Sequence, residues 1–257
     1  AVVYSLQTAE KTFATFAVSV SNPGGHSSRP RKDNAIYELA SALQKLAAFE
    51  FPAQSSNQTR ASFRFTGQQL GGKLGDAMQR FADNPNDQIA VATIAADPEY
   101  VGTLRTTCVA TMLSGGHAEN ALPQLATATV NCRIFPSVSV ESVRSKLAEV
   151  VANPNVAVKE VGKAFASDAS PLRDDVLKAV RKAVDANFAG LPVIPSMSSG
   201  ATDSLYFRAQ GIPSYGVSGA YVMPEDDYSH GLNERVPVSS VARGLRHWHV
   251  LLTDLAK

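Results

Sequence analysis

FATFAVSVSNPGGHSSRPRKDNAIYELASALQKLA, residues 13–47, decides the fold. Its first eight residues alternate as a strand does, and Asn22-Pro23-Gly24-Gly25 is a turn cluster that must stop it. His26-Ser27-Ser28-Arg29-Pro30 follows as a polar loop. Asp33 or Asn34 then caps a helix that carries Ile36, Leu39, Ala40, Leu43, Leu46 and Ala47 on one face and ends before Pro52. The unit is strand, polar loop, helix, and it needs further strands to pack on.

Those strands come later in the chain. Residues 53–102 read as an insertion, with a possible strand at Ala61 to Thr66, a helix from Leu74 to Ala82, and an apolar helix or strand around Ile89 to Ala95. Thr103 to Leu113 is a strand, Ser114 to Asn120 a loop, and Ala126 to Phe135 the returning strand. A helix opening at Ser139 or Val140 and a strand at Val156 to Val161 follow. With the insertion set aside, residues 11–162 read β-α-β-β-α-β, the ferredoxin-like split motif. Ala164 to Pro171 reads as a linker. Beyond it come an amphipathic helix from Asp174 to Phe188, the strand Val193-Ile194, a small-residue loop into a short helix at Ser204 to Ala209, and an apolar strand at Ile212 to Val217. The last helix, Val238 to Ala256, carries Val241, Leu245, Trp248, Leu251 and Leu252. Short, wholly apolar strands suggest half of an α/β layer, since buried parallel strands lose polar alternation.

The chain has 257 residues, 44% of them hydrophobic, which is ample for one large domain or two. Its 24 basic and 23 acidic side chains leave a net charge of +1, so no electrostatic footprint for nucleic acid or an anionic membrane is present. No apolar run approaches the ~18–20 residues that span a bilayer. AVVYSLQTAEKTF lacks the basic and apolar regions of a signal peptide, and the compartment stays open. Cys108 and Cys132 lie on the two runs of one hairpin; a cross-strand disulfide is conceivable, and two buried free thiols are the favoured reading. His230-Gly231-Leu232-Asn233-Glu234-Arg235 has the look of a metal ligand with its supports. Spacing alone does not establish it, because no second ligand stands at a recognised offset.

Five segments in order, NPGGHSSRP (22–30) with NAIYELASAL (34–43), SGGHAENALP (114–123), NCRIFP (131–136), SSGATDS (198–204) and SHGLNER (229–235), resemble the zinc metallopeptidase family of aminoacylase-1, carboxypeptidase S, glutamate carboxypeptidase and succinyl-diaminopimelate desuccinylase. The resemblance implies an α/β fold: a ferredoxin-like lid and dimerisation domain at 11–164 with an insertion at about 53–102, then the C-terminal part of a di-zinc peptidase catalytic domain at 165–257. Residues 1–10 would be a hinge. It also implies two zinc ions, a homodimer through the lid, and a small peptide or N-acyl amino acid as substrate. The family's N-terminal ligands, an HxD motif, a bridging Asp and a Glu-Glu pair whose first Glu is the general base, have no match here. The chain by itself is therefore expected not to hydrolyse, and a separate N-terminal chain is one way to complete the site. A non-catalytic dimerisation and binding module is the alternative.

The resemblance carries roles residue by residue. His230 matches the C-terminal metal ligand. His26 matches the lid histidine that reaches a partner subunit's site to stabilise an oxyanion; the plain alternative is a turn histidine bonded to Ser27 or Ser28. Arg133 matches a guanidinium that clamps the substrate carboxylate, and alternation puts it on the strand face opposite Val130, Cys132 and Ile134. Asn120 matches an amide donor assisting it. Gly200 and Thr202 lie in a loop whose backbone N–H groups could bind a carboxylate, with Asp203 as the cap of the following helix. His117, His247 and His249 receive no role.

Overall fold

A computed structural model describes residues 3–166, 168–222 and 231–257. Strand β1 (Tyr4–Glu10) passes through Lys11 into β2 (Thr12–Ser21), followed by the two-residue β3 (Gly25–His26) and helix α1 (Ala35–Ala48). The insertion contributes α2 (Asn57–Leu70), α3 (Gly72–Asp83), α4 (Gln88–Ala95) and α5 (Val101–Leu104). Next come β4 (Thr107–Gly115), β5 (Ala121–Leu122), β6 (Leu125–Ile134), α6 (Val140–Val151) and β7 (Val156–Val161). The remainder holds α7 (Asp174–Asp185), β8 (Val193–Ser198), α8 (Ser204–Arg208) and α9 (Val238–Leu255).

The sheet order β4-β6-β2-β7, antiparallel throughout, with α1 and α6 on one face, is the ferredoxin-like arrangement. Period-2 alternation buries Phe16, Val18 and Val20 of β2 and Val130, Cys132 and Ile134 of β6 against Ala35, Leu39, Val143 and Leu147 of the helices. Burial of each large side chain stabilises by about 1.5–3 kcal/mol. Asn34 is the cap of α1, its side-chain oxygen accepting from the Ile36 and Tyr37 N–H groups. Asp33 instead pairs with Arg31 at 2.5 Å.

Several expectations need correction. Ala61 to Thr66 is helical within α2, because Ser56 and Thr59 close a capping box and Phe63 enters the insertion's own core with Met78, Phe81, Ile94 and Leu104. Ile212 to Val217 makes only one bridge, Gln7 to Gly216, since Pro213 interrupts it and the Ser214 N–H is taken by the Ser170 hydroxyl. Residues 4–10, expected as part of a hinge, form β1, which pairs in parallel with β8. Cys108 and Cys132 are disulfide-bonded rather than free. They face each other across β4 and β6 with Cα atoms 4.1 Å apart, close enough to be bridged.

Tyr4 and Leu6 of β1 pack on α7 through Ala179, Val180, Ala183 and Val184, with Leu251 of α9 behind them. The expected apolar stripe of α9 only partly faces this core. Leu251 and His247 are buried, while Val241, Leu245 and Leu252 are exposed, because α9 turns residues 240, 247 and 251 inward. The insertion packs mainly against β8 rather than along the lid's edge strand β4. A Cβ on Gly102 would come within 2.9 Å of the Ser199 Cβ, so α5 sits directly on the loop that follows β8. Strand β4 therefore stays open, with Val109, Met112 and Leu113 each more than 60% exposed. No described helix is long and apolar enough to cross a membrane.

Reducing agent is expected to lower the free energy of unfolding by about 3 kcal/mol, the chain-entropy value for a loop of this length. A comparison of urea unfolding curves with and without dithiothreitol measures it.

Candidate active-site residues at two ends of the lid

At the far end of the lid, the two short strands β3 and β5 join the histidine loop to the loop before Pro123. His26 is registered with Ala121, and the Ser27 N–H donates to the Asn120 carbonyl at 2.9 Å. Glycine is required here: Gly24 has φ +80°, and a Cβ on it would meet the Gln124 side chain at 2.8 Å. Asn22 Oδ1 accepts from the Gly24 N–H and braces the turn. His26 is exposed, and its Nδ1 accepts from the Ser28 N–H at 3.2 Å with the Ser28 hydroxyl 2.8 Å away. A backbone N–H can only donate, so Nδ1 is the acceptor and the neutral ring carries its proton on Nε2, pointing a donor outward. The bond to Ser28 expected of an ordinary turn histidine thus also sets the tautomer.

Arg133 lies at the other end. It is registered between Phe13 of β2 and Thr107 of β4, and its guanidinium stacks 4.7 Å from the Phe13 ring centroid. Burial lowers it from its ordinary value, and it stays charged. Eight residues of β2 separate the row of Arg133 from the Ser21–Leu125 row, so His26 and Arg133 of one chain are about 25 Å or more apart. Asn120 belongs to the His26 end, so it cannot assist Arg133 within one copy of the chain.

The loop after β8 reaches the Arg133 end through residues 10–12. The Lys11 N–H donates to the Ser198 carbonyl, and Thr202 gives both its N–H and its hydroxyl to Glu10 Oε2, at 2.6 and 2.7 Å. The Gly200 N–H is likewise taken, by Ser198 Oγ at 3.0 Å. These two N–H groups, expected to receive a carboxylate, are thus engaged inside the protein. Asp203 makes no capping bond; the Ser204 N–H goes to Thr202 Oγ1 instead. Glu10 is itself buried and pairs with the buried Arg208 at 2.6 Å, an electrostatic contact whose angles are too bent for a hydrogen bond.

Sequence reading missed Glu10, Lys11 and Arg208. The signal was Glu10-Lys11, the two charged residues in an otherwise uncharged run over residues 1–25. Lys11 is fully buried, and its Nζ donates to Thr107 Oγ1 at 3.3 Å. Burial first, and then the Arg133 charge, push it down to about 7. His247, given no role, is buried between the Tyr4 and Tyr221 hydroxyls at 3.2 and 2.9 Å, and burial lowers it. His230 lies outside the described residues. Among the described residues no group of three or more His, Cys, Asp or Glu side chains could hold a metal ion, so they do not form a two-metal centre.

The fold class is a ferredoxin-like domain set between two parallel strands, β1 and β8, that pair with each other. Residues 8–159, more than half of the chain, match the peptidase dimerisation domain of the M20 family, and the chain belongs to that metallopeptidase family. It is 28% identical over 237 residues to the human N-fatty-acyl-amino acid synthase/hydrolase PM20D1, covering 90% of this chain and 47% of that protein. It is 23% identical to the probable carboxypeptidase S-like 2 of Dictyostelium discoideum, over 99% of this chain and 49% of that one. The chain spans about half the length of the curated relatives it matches. Among solved structures it superposes on the dipeptidase Dug1p of Saccharomyces cerevisiae (TM-score 0.65, 12% identity, 98% of this chain and 56% of that chain). It also superposes on the M20 metallo-carboxypeptidase Sso-CP2 of Sulfolobus solfataricus (TM-score 0.62, 15% identity, 97% and 60%).

Between about pH 7 and the ordinary lysine range, the unfolded chain keeps a proton on Lys11 that the folded chain has released. Stability therefore rises with pH across that window, by up to about 1.4 kcal/mol per unit, and flattens below it. Thermal melts of the wild type and Lys11→Met from pH 6 to 9 should show that slope only in the wild type.

Proposed function

We propose that this chain is the lid and C-terminal catalytic portion of a metal-dependent amide hydrolase that releases an amino acid from a peptide or N-acyl amino acid. The observation that carries this reading is the division of the candidate residues between two ends of one sheet. His26 and Asn120 stand at one end and Arg133 at the other, too far apart to meet in a single copy. A two-fold dimer through the open β4 edge and α1 would bring the His26 end of one copy to the Arg133 end of the other. Exposed apolar side chains on both elements, Val109, Met112, Leu113, Ile36 and Tyr37, support that interface.

In this proposal Arg133 holds the substrate carboxylate, with Phe13 stacked behind its guanidinium to fix the plane. Gly200 and Thr202 shape the pocket wall, their donors being committed to Ser198 and Glu10. The outward Nε2–H of His26, with Asn120 beside it, stabilises the oxyanion that forms as the amide carbonyl is attacked in the partner's site. The metal we propose is zinc, as a two-ion centre, with His230 as this chain's candidate ligand. Among the described residues no group of three or more ligating side chains completes that centre, so no step is assigned through the metal. For the chain by itself we propose dimerisation and ligand binding without hydrolysis. The lid is taken as residues 11–164 and the catalytic portion as 165–257, with β1 joining the latter through β8.

Complementation tests the reading. In the enzyme that contains this chain, His26→Ala and Arg133→Ala should each lose most activity. Denaturing and refolding an equal mixture should restore about a quarter of the wild-type rate, since half the dimers are mixed and each mixed dimer holds one complete site. No recovery above the two separate variants would contradict the shared site.

A further inference from the structure

Lys11 and Arg133 meet at Thr107, to whose hydroxyl Lys11 Nζ donates and opposite which Arg133 is registered on β6. Lys11 is fully buried where β1 passes into β2. Its Nζ has one hydrogen bond, to Thr107 on β4, and its backbone N–H is fixed to Ser198. Thr107, Arg133 and Phe13 form one row across β4, β6 and β2, so the lysine amine and the guanidinium share a single patch of the sheet. The neighbouring charges are already matched elsewhere. Glu10 pairs with Arg208 of α8 and takes the Thr202 donors, and Arg105 pairs with Glu50. Burial disfavours the charged amine of Lys11, and the Arg133 charge disfavours it further. A half-buried guanidinium and a buried amine that share Thr107 favour an incoming anion, and the amine is the member able to change its charge.

We infer that Lys11 is a positioning residue for carboxylate recognition, its buried amine taking up a proton when an anion docks on Arg133 and so making the affinity for that anion depend on pH. The inference rests on Arg133 as the carboxylate clamp. With the anion absent, Arg133 repels a proton from Lys11; with the anion present, that repulsion is cancelled and the amine is protonated more readily. Lys11 touches no substrate and forms no bond to it. Its charged form adds to the field that Arg133 offers, and with its value pushed down to about 7 both forms of the amine are present near neutral pH.

Calorimetric titration of the full chain with N-acetyl-L-leucine, with EDTA present to prevent turnover, tests this. Binding at pH 8 in two buffers of different ionisation enthalpy should reveal uptake of a fraction of a proton by the wild type. Affinity should fall about tenfold from pH 6 to pH 9, the linkage of a one-unit change in the lysine. Lys11→Met should bind with the weaker, high-pH affinity at every pH and take up no proton. Wild-type binding that depends on Arg133 but is flat with pH and free of proton uptake would overturn the inference while leaving the clamp standing. Binding unchanged in Arg133→Ala would overturn the clamp itself. The proton-uptake measurement needs the wild type only, so a Lys11→Met chain that fails to fold does not remove the test.

Discussion

The buried Glu10–Arg208 pair is the interaction on which the rest of the arrangement depends. Glu10 ends the strand that belongs to the α/β layer, and the next residue but one begins the lid sheet. Its carboxylate meets Arg208 of α8 at 2.6 Å and accepts both donors of Thr202, while Gln7 adds a bond at 3.2 Å. Removing either member of a pair this deeply buried would leave an uncompensated charge, which costs about 3–5 kcal/mol. The pair thereby fixes the 198–203 loop against the start of the lid. Lys11 follows Glu10 directly, and through it the loop reaches Thr107 and Arg133. One short stretch, Glu10 to Thr12, thus sets how the lid's near end meets the catalytic portion.

The far end of the lid is governed by different physics. There the two glycines of the NPGG turn let β3 swing beside β5, and the Ser28 N–H fixes the tautomer of His26. Ten residues of β2 connect the ends as a rigid spacer, stiffened by pairing on both sides. A sheet of this length keeps the histidine and the arginine apart as firmly as it keeps each in place. The proposed dimer turns that separation into a shared site, and the insertion leaves the β4 edge open for it by packing on β8.

Much of this was legible in the sequence where local pattern and tertiary burial agree. The β2–α1 unit, the β4–β6 hairpin, α6 and β7 follow from alternation, caps and turn residues. The elements that were misread are those decided by long-range partners. Ala61 to Thr66 has strand-like composition, and only the capping box at Ser56 and the buried Phe63 make it helical. Ile212 to Val217 is apolar, yet Ser170 takes the backbone donor a strand would need. The cysteines were ambiguous because the exact register of β4 against β6 cannot be read from either strand alone. The candidate site divides in the same way. His26, Asn120 and Arg133 stand in motifs, whereas Glu10, Lys11 and Arg208 gain meaning only when strand, loop and helix meet. Gly200 and Thr202 were expected to offer donors, and Glu10, 192 positions away in the chain, takes those of Thr202 while Ser198 takes that of Gly200.

The central claim, that β4 is the seam joining the His26 end of one copy to the Arg133 end of another, is tested most directly by amide hydrogen exchange of β4 (Thr107–Gly115) as a function of protein concentration. The account predicts that the outward β4 amides, those not bonded to β6, become protected at high concentration and exchange quickly on dilution, while β2 in the centre of the sheet is protected throughout. Fast exchange of the outward β4 amides at every concentration, or protection that does not change on dilution, would contradict it.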